Sequence, residues 1–304
     1  MLDQHNTLGP SREGRSKIGS SLMNIHIIDT GFFKLDGGAM FGVVPKSLWN
    51  KQNPADEKNL CSWAMRCLLI EDGEKLILVD TGMGDKQDAR FFGHYDLHGD
   101  ATLLGSIRSK GFEPADITDV VLTHLHFDHV GGAVRFSKDY TKLTPTFPNA
   151  TYWSNEAHWN WATNPNPREK ASFLKENILP LQEAGQLRFI EHQVSPFSSI
   201  NFLFVDGHTE QMMLPVISYK GKKLVYAADL LPSSFHVPIP WIMSYDMRPL
   251  QTMDEKQLVL QNAADEEHVL IFEHDPVYEA GIVVHTEKRI RIGTRGPLSD
   301  FIGN

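Results

Sequence analysis

Cysteine is scarce in this 304-residue sequence: there are two, Cys61 and Cys67. They fall in one strand-like run, where six extended residues span roughly 20 Å, whereas a disulfide needs Cα atoms within about 7 Å. Both read as buried thiols, and a cytoplasmic location is the expectation. Long apolar runs are missing as well. No stretch approaches the roughly 18 consecutive apolar residues of a membrane-spanning helix, so no membrane partner is expected. Positive charge is in deficit, with 29 Lys and Arg against 38 Asp and Glu and a formal net charge of −9. A chain without a basic block lacks the electrostatic footprint of phosphate-backbone binding, which sets nucleic acid aside as a partner. The first 22 residues are polar and lack the apolar core of a secretory signal. They read as a disordered tail or a non-native remnant of cloning, with Met23 as a candidate natural start. Residues 294–304 read as a polar C-terminal tail, leaving one domain over 23–293. A second copy of the chain is the one protein partner left open.

What is present is a succession of strands, helices and strands again, without a linker. Strand-like runs cover 24–33, 61–70 and 75–80, and Asp72-Gly73 between the last two reads as a hairpin turn. A helix over 101–110 stops at Gly111. The buried-looking strand 119–123 follows. A Trp-rich stretch around Trp153–Trp161 reads as packing, and an amphipathic helix is expected near 168–184. Further strands are expected over 187–191, 201–205, 211–219, 223–228, 269–273 and 288–292, with a helix over 254–265. Two β-rich halves, each followed by helices, imply an α/β architecture of two packed sheets with helices outside.

The chemistry starts at the run His124-Leu125-His126-Phe127-Asp128-His129. In an extended chain alternate side chains share a face, so His124 and His126 point the same way. Asp128 and His129 then fall where a helix or tight loop begins, before Gly131-Gly132. Three imidazoles and a carboxylate within six residues suit a first-row cation such as Zn²⁺. Further ligands must come from elsewhere. His208, Asp229 and His274 each stand at the exit of an apolar strand, where side chains from separate strands converge.

The run Thr123–Gly132 resembles the signature of the metallo-β-lactamase-fold hydrolases. The earlier Leu78-Val79-Asp80-Thr81-Gly82 and the later His208, Asp229 and His274 match in order, so the resemblance extends from about residue 24 to residue 292. It is nearest in flavour to the branch of acyl-homoserine lactonases and methyl-parathion-type hydrolases. The resemblance implies an αββα sandwich with metals at one edge of two mixed sheets. It implies two divalent ions, Zn²⁺ first and Fe, Mn or Co as alternatives. His124, His126 and His208 would hold one ion; Asp128, His129 and His274 would hold the other. Asp229 would bridge them, and Asp80 would orient the histidine loop without binding metal.

The activity implied is hydrolysis of an ester or lactone in a small-molecule substrate by a metal-bridging hydroxide, with Asp128 or Asp229 orienting the nucleophile. A phosphotriester or phosphodiester hydrolase and a non-catalytic metal-binding module are the alternatives. Two departures from the family pattern stand out. The lactonases of this branch carry a tyrosine three residues after the bridging aspartate, where this sequence has Pro232. Glu210 and Gln211 replace the usual proline and glycine after His208, which implies a less constrained loop. The proline-rich segment 231–243 reads as a loop, with His236 as a stand-in for the missing tyrosine. Phe33, Phe41, Phe235 and Trp241 are the expected walls of the substrate pocket.

Overall fold

The computed structural model describes residues 23–192 and 194–303. The expected N-terminal tail, residues 1–22, lies outside the described residues. The first half of the chain forms β1 (Asn24–Asp36), β2 (Leu60–Asp72), β3 (Lys75–Val79), β4 (Asp119–Val121), a small hairpin of β5 (Val134–Phe136) and β6 (Leu143–Pro145), then β7 (Thr151–Ser154) and β8 (Leu187–Phe189). The second half forms β9 (Ile200–Val205), β10 (Met212–Tyr219), β11 (Lys222–Tyr226), β12 (Val269–Ile271), β13 (Ala280–His285) and β14 (Ile290–Gly296). These make two six-stranded sheets, ordered β1-β2-β3-β4-β7-β8 and β14-β13-β12-β11-β10-β9. Both are mixed, with β3, β4, β7 and β8 parallel to one another, β3 antiparallel to β2, and β11 parallel to β12.

The sheets face each other because alternate side chains of their strands are apolar. Leu68 and Ile70 of β2, with Ile77 and Val79 of β3, pack into the same core as Leu214, Leu224, Tyr226 and Ile271 of the second sheet. The intervening Cys67, Leu69, Leu76 and Leu78 point the other way, onto Leu103, Ile107, Ile178 and Leu181 of the helices Leu103–Ser109 and Lys175–Glu183. A strand covered on both faces reads as an unbroken apolar run, which is why the β2 sequence shows so little alternation. Both cysteines are buried free thiols, as expected. Outside the second sheet lies the helix Pro249–Asp265, which buries Val259, Leu260 and Ala263. It begins five residues before the expected start because proline fits the first helical turn, where its missing N–H costs nothing.

One expectation of the chain's organisation is corrected. Residues 294–304 do not form a tail from residue 294: β14 runs to Gly296, and a short helix covers Ser299–Ile302. Leu298 and Phe301 are only 2% and 8% exposed and join the inter-sheet core, so burial of this apolar pair docks an otherwise polar segment. The Trp-rich stretch packs as expected: it forms β7 and the helix Glu156–Thr163, with Trp159 buried in one core and Trp153 and Trp161 packed against the cores. Among the described residues, no helix is long and apolar enough to cross a membrane.

Candidate metal centre

The strand directions bring the candidate residues to one edge of the sandwich. β3 and β4 run parallel and release Asp80 and Thr123–His129 at the same end. β9 and β11 are both antiparallel to β10, and β12 is parallel to β11. The chain therefore leaves all three strands on one side, delivering His208, Asp229 and His274. The histidine run is held by Asp80, whose backbone is left-handed (φ 57°), a conformation costly for a residue with a Cβ. In return its carboxylate accepts from Thr123 N at 2.8 Å and Thr123 Oγ1 at 2.7 Å. Gly131 and Gly132 let the following loop press on the exit of β3. A Cβ on them would sit 1.9 Å from Met83 O and 2.2 Å from Thr81 O.

Seven side chains gather there, His124, His126, His208 and Asp229 in one group and Asp128, His129 and His274 in the other, with Asp229 reaching both. In the first, His126 Nδ1 lies 3.1 Å from His124 Nε2 and 3.2 Å from His208 Nε2. Asp229 Oδ2 is 3.1 Å from His208 Nε2 and 3.9 Å from His124 Nε2. In the second, His129 Nε2 and His274 Nε2 are 3.2 Å apart. Asp229 Oδ1 stands 3.5 and 3.1 Å from them, and Asp128 Oδ2 stands 3.8 and 3.7 Å away. A tetrahedral cation with ligands at about 2.0–2.2 Å has ligand–ligand edges of about 3.3–3.6 Å. The separations bracket that edge. Asp229 Oδ1 is also buried without a hydrogen-bond partner, a costly condition for a carboxylate oxygen unless a cation compensates it. The donor set therefore fits divalent metal ions.

Every imidazole in the two groups has its other nitrogen tied to the protein, which sets both its tautomer and its ring plane. His124 Nδ1 meets Thr123 Oγ1 at 3.1 Å, His208 Nδ1 meets Asp246 Oδ1 at 2.8 Å, and His274 Nδ1 meets Ala64 O at 2.7 Å. His129 Nδ1 stands 3.1 Å from both Asp80 and Glu273. His126 is reversed: its Nε2 meets Glu169 Oε1 at 3.2 Å, leaving Nδ1 to face the centre. Glu169 is itself fixed by Trp161 Nε1 at 2.7 Å and Asn166 Nδ2 at 3.0 Å. Behind the run, Leu125 N donates to His158 Nε2 at 2.9 Å.

Burial, reinforced by the neighbouring imidazoles, holds His124 well below its ordinary value, and it holds His126 down too. Both stay neutral, as ligands must. Burial acts in the same direction on His208 and His274, but Asp229 outweighs it and carries them up to about 10 and about 9. Asp229 itself lies well below the carboxylate range: burial opposes this, but His129, His274 and His208 prevail. Asp229 is thus a buried negative charge at the shared edge of the two groups, one that a cation would compensate.

A model of the metallo-beta-lactamase superfamily matches residues 66–274. The chain belongs to that superfamily. It is a metal-dependent hydrolase. It is 23% identical over 247 residues to the N-acyl homoserine lactonase AiiA of Bacillus thuringiensis subsp. kurstaki, covering 77% of this chain and 89% of that one. Among solved structures it is similar to a probable metal-dependent hydrolase from Staphylococcus aureus, with a TM-score of 0.82, 28% identity, and coverage of 92% and 98%. The dizinc quorum-quenching lactonase AidC shares the fold at a TM-score of 0.74 and 24% identity, covering 91% of this chain and 96% of that one.

In this member of the metallo-beta-lactamase superfamily, a cavity of about 360 Å³ opens onto the two groups. Leu35, Met40, Tyr95, Phe127, Met243 and Tyr245 line it, with Arg168 and Glu169. The walls expected from the sequence are elsewhere. Phe33 and Phe41 are fully buried, Phe33 against the His274 ring and Phe41 between Trp49 and His236. Phe235 and Trp241 line a separate cavity with Arg289, Arg291 and Arg295. Large apolar rings were more valuable in the core than at the mouth. His236 is not free to replace the tyrosine absent at Pro232. Its Nε2 meets Met40 O at 2.9 Å and its Nδ1 meets Ser233 Oγ at 2.7 Å, and burial pushes it down to about 3. The loop after His208 is tightly held rather than loose. Arg248 pairs with Glu210 at 2.5 Å and donates to Asp206 O at 2.6 Å, while Asn155 Nδ2 donates to Gln211 O at 2.8 Å.

Proposed function

We propose that this chain hydrolyses carboxylic esters, lactones among them, in small-molecule substrates, using two divalent cations. In this reading His124, His126 and His208 hold one ion, Asp128, His129 and His274 hold the other, and Asp229 bridges them. The imidazole and carboxylate donors suit Zn²⁺, and Fe, Mn and Co share the preference. Bound there, the cations would supply a Lewis acid for the carbonyl oxygen and would lower the pKa of water enough to make hydroxide available near neutral pH. The chain's own groups do the rest. Asp128 and Asp229, both on the cavity wall, orient the attacking water, and Asp128, with one oxygen turned to the second group, has the other to take up its proton. Glu169, Asp246 and Asp80 keep the imidazole planes fixed, so little reorganisation is needed as charge develops. Leu35, Met40 and Met243 give the acyl chain an apolar wall.

The observation that carries the reading is Asp229, which presents Oδ2 to the first group and Oδ1 to the second, 3.1 Å from an imidazole nitrogen in each. A purely structural site needs four ligands around one ion, not seven around two. The test is a hydrolysis screen of metal-loaded and chelator-treated protein against lactones, alkyl and aryl esters, and phosphotriesters. Metal-dependent turnover of esters or lactones is expected. Turnover of phosphotriesters alone would replace this reading with the phosphoester alternative, and bound metal without any turnover would leave a binding module.

A further inference from the structure

Ester cleavage needs a hydrogen bond or proton at the departing alkoxide, and in this cavity the usual donors are committed. Each imidazole of the two groups has one nitrogen turned inward and the other bound to the protein. His158 and His236 use both ring nitrogens within the fold. Glu169 accepts from His126, Trp161 and Asn166, and position 232 is proline. Arg168, at the rim, is drawn to Ser244 O. Among the hydroxyls on the cavity wall, the phenols of Tyr95 and Tyr245 are stronger acids than the alcohols of Ser172 and Ser244, and the Arg168 guanidinium does not give up a proton.

Tyr95 is the better placed. Its ring packs on Phe127 at 4.7 Å and on Phe91 at 5.0 Å, and its carbonyl accepts from Lys34 N at 2.6 Å, so its position is fixed from both sides. Phe127 directly precedes Asp128, and Tyr95, Phe127 and Asp128 line the same cavity. Tyr245 is 40% exposed, at the mouth of the cavity.

We propose that Tyr95 is a catalytic residue whose phenol donates to the departing oxygen of the substrate. The inference rests on the esterase reading above. The bond between acyl carbon and alkoxy oxygen breaks, and the oxygen of water joins the acyl carbon. The phenol proton passes to the departing alkoxide, and the proton released by the water restores the phenol.

The test compares wild type, Tyr95→Phe and Tyr245→Phe at matched metal content. General-acid help is worth about 10²- to 10⁴-fold, and phenolates depart without it. Tyr95→Phe is therefore expected to slow an alkyl ester or lactone at least about 100-fold while a nitrophenyl ester changes less than about 3-fold. Tyr245→Phe should lower both rates alike. Binding gives a readout independent of turnover. Wild type should prefer 4-hydroxybutanoate over butanoate in calorimetry, and Tyr95→Phe should shrink that preference by about 2- to 10-fold, the worth of one hydrogen bond. Equal losses on both esters in Tyr95→Phe, or a leaving-group-dependent loss in Tyr245→Phe instead, would overturn the assignment. A metal-loaded wild type that cleaves no ester would overturn the esterase reading, while the binding comparison would still report on Tyr95.

Discussion

His158 makes the fold acid-sensitive at a point directly behind the metal centre. Its Nε2 accepts the Leu125 N–H at 2.9 Å, and its Nδ1 faces Glu210 O at 2.5 Å. The ring is therefore neutral, with its proton on Nδ1. A second proton would set two donors against each other and free Leu125, the residue between His124 and His126. Burial holds His158 down to about 4, against an ordinary value of 6.5. Between these pH values the unfolded chain binds a proton that the folded one does not, so stability falls as pH falls from 6.5 to 4 and changes no further below that. A gap of about 2.5, at about 1.36 kcal/mol per pH unit, corresponds to about 3 kcal/mol. His158→Gln supplies an amide oxygen for Leu125 N–H without titrating. Urea unfolding should be followed from pH 7.5 to pH 4, with chelator throughout so that the ligand imidazoles contribute equally to both proteins. Wild type should lose about 3 kcal/mol more than the variant. Parallel losses in the two proteins would refute the reasoning.

Glu169 fixes the ring of His126, so Glu169→Ala should weaken metal binding by about 10- to 100-fold with little change in secondary structure; competition against a chromogenic chelator measures this, and unchanged affinity would remove its orienting role. Lys256 is fully buried and donates to His236 O, Pro238 O and Trp241 O at 2.8, 3.0 and 2.8 Å, stapling the loop that leaves Asp229. Lys256→Met strands three buried carbonyls, at about 1–3 kcal/mol each before the ammonium's own desolvation is recovered, so a net loss of about 3 kcal/mol is expected in denaturant unfolding. A loss under about 1 kcal/mol would mean that the loop is held by its apolar contacts instead.

The candidate metal centre was legible in the sequence because the core of the cluster is local. His124, His126, Asp128 and His129 sit within six residues, and His208, Asp229 and His274 each follow an apolar strand. The sandwich was legible for a similar reason, since burial on both faces leaves apolar runs such as Cys67–Ile70 that survive without any knowledge of the partner sheet. The anchors were not legible. Glu169 reaches His126 across 43 residues, Asp246 reaches His208 across 38, and His158 reaches Leu125 across 33; nothing local marks such pairs. Trp161 looked like packing, yet its indole N–H fixes Glu169. The pocket walls were misjudged because an aromatic side chain looks the same in sequence whether it faces a cavity or a core. Phe33 and Phe41 went to the core, while Tyr95 and Tyr245, unremarkable in sequence, reached the cavity. The short strand β13 was missed because it opens on Ala280-Gly281, which carry almost no strand propensity.

The two-ion centre bridged by Asp229 is the claim on which the rest depends. Elemental analysis of protein purified without chelator, and again after reconstitution with Zn²⁺ or Mn²⁺, should give close to two transition-metal ions per wild-type chain. Asp229→Asn keeps the shape but removes the negative charge shared by both groups, so its metal content and its ester turnover should fall together. Two ions and full activity in Asp229→Asn would contradict the bridge, and no bound metal in the reconstituted wild type would contradict the whole account.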